Sequence, residues 1–119
     1  QSYKNQIIKA KWLDYKSKYR MLTFQLKADH RRLYREKWEY YGGKATNKIY
    51  IAKPFDIKVL KTDLGVYISS DDDIIDIELK IEYYETLVQF IEGVIKSIDN
   101  RSWDIKHAQD WKKFLAGSF

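Results

Sequence analysis

The chain has no cysteine, which excludes disulfides, thiolate zinc sites and a thiol nucleophile. One proline and five glycines in 119 residues leave few points where a helix is forced to stop. Apolar runs fall well short of the roughly 20 residues that cross a bilayer, and no signal peptide is visible. No membrane association and an intracellular setting are therefore expected. The chain opens at Gln1 rather than Met, so an N-terminal piece is expected to be missing. Catalytic arrangements are equally scarce. His30 and His107 have no companion at metal-ligand spacing. Gly42-Gly43 lacks the Lys-Ser/Thr of a phosphate loop, and Ser69 and Ser70 lack a recognisable base. Asp71, Asp72 and Asp73 miss the alternation, glycine and glutamate of a calcium loop and read as helix-capping carboxylates. No catalytic residue, metal site or cofactor is expected.

What the chain does contain is apolar and charged residues, at 45% and 33%, a balance that folds. Its length suits one domain with a modest core. The net charge of +5 is unevenly spread. Residues 1–50 hold 13 Lys/Arg against 4 Asp/Glu, and residues 51–119 hold 9 against 13. The halves are thus +9 and −4, which points the first half towards a polyanion. The organisation expected is a single domain over 1–119, with a basic N-terminal helix at 1–43 and a helical oligomerisation region at 44–119.

Residues 3–41 read as one helix, because Ile8, Trp12, Tyr15, Tyr19, Leu22, Leu26 and Leu33 follow steps of four and three. The series skips Asp29, and Gly42-Gly43 supplies the stop. Such a helix is roughly 58 Å long, too long for this chain to cover alone. Residues 44–70 read as a loop with a short helix, with short strands as the alternative, since Pro54 bars a continuous helix. Residues 71–99 hold a conflict. Ile75, Ile77, Leu79, Ile81 and Tyr83 alternate like a strand, yet Ile74, Ile77, Ile81, Tyr84, Val88, Ile91, Ile95 and Ile98 keep helical spacing throughout. Helix explains the longer stretch, with Ser70 and Asp71–Asp73 as its N-terminal cap. A short last helix is predicted over Ser102–Ala116. The fold class expected is all-α.

The one chemical signal is for nucleic acid. Lys9, Lys16, Arg20, Lys27, Arg31 and Arg35 recur at seven- or four-residue steps, a row suited to phosphate neutralisation. At the end of the helix, "HRRLYREKWEYYGG" interleaves Arg31, Arg32, Arg35 and Lys37 with Tyr34, Trp38, Tyr40 and Tyr41. Cations beside aromatic faces favour unpaired bases, which stack on them. Arg35 and Lys37 are the candidate phosphate contacts. Trp38 and Tyr41 read equally well as stacking platforms or as core. With no base-reading module present, binding should be sequence-independent. Two other readings stay open: a coiled-coil adaptor whose basic face binds an acidic protein, and an enzyme with an unfamiliar site.

"REKWEYYGG" and the C-terminal "NRSWDIKHAQDWKKFLAG" resemble the UvsY recombination mediator family of T-even-like bacteriophages, as do "KWLD" at 11–14 and "LVQFIEGVIKSI" at 87–98. The resemblance covers nearly the whole chain and is weakest at 44–70. It implies a ring-like homo-oligomer that binds and wraps single-stranded DNA. It also implies loading of a UvsX-type recombinase in exchange for the phage single-strand-binding protein, in the host cytoplasm. By the same resemblance the family's DNA-binding basic pair falls on Arg35 and Lys37. Here arginine comes first and lysine second, so the detailed contacts differ in fork geometry. The family's assembly region falls on Trp103, Ile105, His107, Trp111, Phe114 and Leu115.

Overall fold

The computed structural model describes residues 2–117. In chain order it comprises α1 (Ser2–Tyr41), α2 (Asn47–Ala52), a 3₁₀ turn at Lys61–Asp63, α3 (Leu64–Ser69) and α4 (Asp72–Gly117). No strand occurs among the described residues, and the fold is all-α as the periodicity required. None of these helices is long and apolar enough to cross a membrane. The prediction differs in two places. The middle segment holds two short helices rather than one. The expected break before Ser102 is absent, and α4 runs on through it. Asn100 and Arg101 are neither glycine nor proline, and an interior Asn costs a helix well under about 1 kcal/mol. Ser102 caps nothing. Its hydroxyl accepts a hydrogen bond from Asn5 Nδ2 at 3.2 Å.

The chain forms two compact units, Gln1–Met21 with Tyr84–Phe119 and Leu22–Tyr83. In the first, α1 and α4 run antiparallel. Asn5 meets Ser102, Lys9 pairs with Asp99 at 2.7 Å, and Tyr19 stacks on Tyr84 at 5.9 Å. Val88 and Ile91 are its buried apolar residues. In the second unit the buried residues are Tyr40, Leu64, Ile68 and Ile74, joined by Thr23 and Asp71.

Beside half-buried Leu22, Ala28, Glu39 and Tyr41, α1 carries a buried or half-buried row formed by Asn5, Lys9, Trp12, Lys16, Tyr19, Thr23, Leu26, His30, Leu33, Lys37 and Tyr40. Their steps are strictly three and four, a heptad seam. This is not quite the seam the apolar residues alone suggested. One column is mostly apolar: Trp12, Tyr19, Leu26, Leu33 and Tyr40. The other is polar throughout: Lys9, Lys16, Thr23, His30 and Lys37. Lys9 and Lys37 of the polar column pair with carboxylates in and just before α4, and His30 stands beside another. Lys9 meets Asp99, His30 Nε2 lies 3.7 Å from Glu78, and Lys37 meets Asp71 and Asp73. The helix–helix contact is therefore specified by charge as well as by apolar burial.

α1 stops where its backbone must reverse. Lys44 N donates to Glu39 O at 2.8 Å and Gly43 N donates to Tyr40 O at 3.3 Å, with Gly43 at φ 75°. That hydrogen-bond pair is a Schellman motif, and the left-handed residue in it favours glycine. A Cβ at Gly42 would come within 2.8 Å of Trp38 O. The Tyr50 hydroxyl completes the terminus, donating to Tyr40 O at 2.7 Å and accepting from Ala45 N at 3.2 Å. Around this end Tyr40, Tyr41, Phe55 and Tyr67 form a cluster of edge-on and tilted rings, with Tyr50 stacked on Tyr40 at 5.5 Å. At the start of α4, Asp71 Oδ1 accepts from Asp73 N at 2.9 Å and Ile74 N at 3.4 Å, so Asp71 is the cap. Ser70 instead donates to Val66 O at 2.7 Å, closing α3.

Candidate nucleic-acid interface

The end of α1 carries the predicted binding residues, and the fold sorts them into two groups. Lys27, Arg31, Arg32 and Arg35 lie on its exposed surface. Arg35 has 82% of its side chain exposed and meets Glu39 at 3.3 Å. Arg32 meets Asp29 at 3.0 Å. Arg32, Arg35, Glu36 and Glu39 line one shallow hollow. Exposed pairs of this kind contribute at most about 1 kcal/mol, so a phosphate can displace either carboxylate at little cost. Trp38 sits at the same end, 38% exposed, with Lys44 Nζ 4.6 Å from the centre of its ring. The site thus offers arginines, a partly open indole and an ammonium within one short stretch. Of the remaining cations in the predicted row, Arg20 is exposed, whereas Lys9 and Lys16 are half-buried in the packed seam.

Lys37 and Tyr41 belong to the second group. The Lys37 side chain is only 12% exposed, with Nζ 2.7 Å from Asp73 and 3.3 Å from Asp71. Tyr41 donates to Asp71 Oδ2 at 2.6 Å. Burial pulls the Lys37 ammonium downward, but hydrogen bonds and charge from Asp73 and Asp71 outweigh it and hold the pKa above the usual lysine value. Burial and the same carboxylates push the Tyr41 phenol well above its usual range. Burial would raise Asp71, yet the Tyr41 hydroxyl, the Lys37 charge and the Asp73 amide hold its carboxyl below the ordinary value. Any phosphate that takes Lys37 must displace two carboxylates. Beside this network a cleft of about 410 Å³ is lined by Leu33, Glu36, Lys37, Glu39, Tyr40, Ala45, Ile49, Lys53 and Asp73. It brings carboxylates and amines together and holds no cationic excess.

The residues assigned to assembly lie along the last turns of α4. Trp103, Trp111 and Phe114 are 60%, 61% and 64% exposed, Leu115 is 40% exposed, His107 is exposed and Ile105 is half-buried. His107 stacks on Trp103 at 3.6 Å and its Nδ1 lies 3.0 Å from Trp103 O. Trp111 and Phe114 stack at 5.7 Å. Two parts of the α1 site escaped the sequence reading. Lys44 over Trp38 follows from the Schellman turn, which folds the residue after the glycines back over the last turn. The inward placement of Lys37 was signalled by register, since it stands four residues after Leu33 and three before Tyr40.

Comparison with known proteins bears on this arrangement. The family model described as recombination, repair and ssDNA binding protein UvsY matches residues 1–118. The recombination protein uvsY of Enterobacteria phage T4 is 24% identical over 113 residues, 95% of this chain and 80% of that protein. Two crystal structures of the bacteriophage T4 recombination mediator protein UvsY share the fold at 23% identity. Lattice type II matches with a TM-score of 0.80 over 96% of this chain and 80% of that one. Lattice type I matches with 0.79 over 93% and 81%. With the family pattern running from residue 1 to residue 118, the chain belongs to the UvsY family of recombination, repair and single-stranded-DNA-binding proteins.

Proposed function

We propose that this chain is a recombination mediator that binds and wraps single-stranded DNA as a ring-like homo-oligomer. In this reading it promotes loading of a UvsX-type recombinase in exchange for the phage single-strand-binding protein, in the host cytoplasm. The observation that carries the binding part is the exposed end of α1, where Arg31, Arg32 and Arg35 stand beside the partly open Trp38 and Lys44. Arginines neutralise backbone phosphates and release counterions. An indole face accepts an unpaired base, worth about 1–3 kcal/mol. Lys27 extends the cationic surface one turn back. Lys37 and Tyr41 contribute chiefly by fixing the end of α1 against the start of α4, so that the exposed cations keep their spacing.

Assembly rests on a separate observation. Trp103, Trp111, Phe114 and Leu115 form an exposed apolar stretch, which association between copies would cover together with Ile105 and His107. Repeating the α1 site around an oligomer raises the effective concentration of cations along one strand. No reaction is assigned to the chain.

Titration of a labelled oligothymidylate at several salt concentrations tests the binding part. Affinity that is substantial at low salt and falls steeply as salt rises is expected. Absence of binding at low salt would instead favour an adaptor whose basic face takes an acidic protein, a role that the carboxylate partners of Lys37 already imitate.

A further inference from the structure

The strand-like alternation near the start of α4 has a physical cause that reaches beyond the fold. At 100° per residue, Ile74, Ile77 and Ile81 lie on one side of the helix, buried or half-buried. Ile75, Leu79 and Tyr83 lie on the opposite side, 39%, 63% and 57% exposed. A helix that needs one apolar face for its own protomer carries two here. Asp72, Asp76 and Glu82 flank the outer face and are exposed. Residues 71–85 carry seven carboxylates and one lysine.

The segment between α1 and α4, in the same compact unit, shows the reverse combination. Ile51, Ile57 and Leu60 are 82%, 59% and 67% exposed. Residues 44–61 carry five lysines and one aspartate. Within the chain, no ion pair among the described residues joins these lysines to the carboxylates of α4. One surface is apolar with an acidic border and the other is apolar with a basic border, and both are exposed.

We infer that the outer face of α4 around Ile75, Leu79 and Tyr83 docks onto the 44–61 segment of a second copy of this chain. The contact is heterologous: each copy offers an acidic face to one neighbour and a basic segment to the other. Head-to-tail contacts of this type close into rings when the rotation permits. Opposite charge at the border fixes partner orientation and discourages face-to-face or segment-to-segment pairing. The inference rests on the self-association part of the proposed function but adds an interface separate from the Trp103–Leu115 stretch.

Two variants test it, each checked for retained helicity by circular dichroism. Asp76→Lys/Glu82→Lys turns the acidic face basic, and Lys58→Glu/Lys61→Glu turns the basic segment acidic. Each variant alone is expected to sediment at a lower mass than the wild type, because each then opposes like charges. Mixed in equal amounts they should sediment well above either variant alone, since every junction between unlike copies becomes complementary again. Wild-type mass for either variant alone overturns the interface and leaves the face to some other partner. Loss of mass in both without recovery on mixing also overturns it, because the charges then act without pairing. If truncation before Ser102 lowers the mass while these reversals do not, assembly through α4's end stands and this second contact falls.

Discussion

The two long helices both finish in aromatic sequence, and Tyr40 of the first meets a fate opposite to that of Trp103, Trp111 and Phe114 of the second. At the end of α1, Tyr40 is 7% exposed, and the chain turns back to supply Tyr50 and Phe55 against it and Tyr67 against Tyr41. Over the last turns of α4, Trp103, Trp111 and Phe114 are each at least 60% exposed, and apart from Ile105 the residues from 103 to 117 are on the surface. Aromatic content alone therefore says nothing about where a ring goes. What separates the two ends is the presence of a segment that returns over the first and brings hydrogen-bond partners for its phenols. Tyr40 donates to Lys53 O at 3.0 Å, Tyr41 to Asp71 and Tyr50 to Tyr40 O. The Tyr40 side of the first end is interior to its protomer, while Trp38 and the nearby arginines stay open; the second end is surface suited to association.

Substitution breaks this contrast most sharply. Tyr40→Ala is expected to cost about 3–5 kcal/mol of protomer stability, as for other buried aromatics. Trp111→Ala should cost the dilute protomer less than about 0.5 kcal/mol, as for exposed sites, while lowering the assembled mass. Urea unfolding at low protein concentration, with sedimentation at high concentration, reads both effects. A large loss of protomer stability with Trp111→Ala would place that ring in an interior.

Asp71→Ala follows closely, at about 3–5 kcal/mol, because it strips the largely buried Lys37 of one partner. It also removes the cap of α4 and the acceptor for Tyr41. A cost below about 1 kcal/mol would show that the cluster is decoration.

A smaller effect is expected from pH. Asp71 is held below its ordinary value, so its contribution is complete above the usual carboxylate range and is lost as pH falls through its folded value. Lys37 and Tyr41 are held above theirs, so their contributions are complete below about pH 10 and are lost as pH rises beyond it. A thermal melt series should show a plateau between an acid limb and an alkaline limb, and Asp71→Asn should shrink both. Limbs unchanged by that substitution would remove this cluster from the pH response.

Much of the fold was legible because helical spacing is a local property. The 3-4 series from Ile74 to Ile98 outweighed nine residues of alternation, and the alternation proved to be a second apolar side of the same helix. The polar column of α1 was harder to read. Lys9 and Lys37 look solvated in sequence, and carboxylates 36 residues away for Lys37, or on a distant turn of α4 for Lys9, hold them inward. α2 escaped because six residues with no side-chain cap leave almost no periodic trace. The continuity of α4 through Asn100 was missed because a favourable cap residue, Ser102, is also tolerated inside a helix when a neighbour such as Asn5 occupies its hydroxyl.

Arg35 and Lys37 stand two residues apart, equally basic in sequence, one open to solvent and the other held by two carboxylates. The affinity of Arg35→Ala for an oligothymidylate, followed across salt concentrations beside the wild type, tests the DNA-binding claim most directly. Weaker binding is predicted, with a salt slope flattened by about 0.7 for each phosphate that is no longer neutralised and an unchanged melting temperature. An unchanged slope would contradict the account.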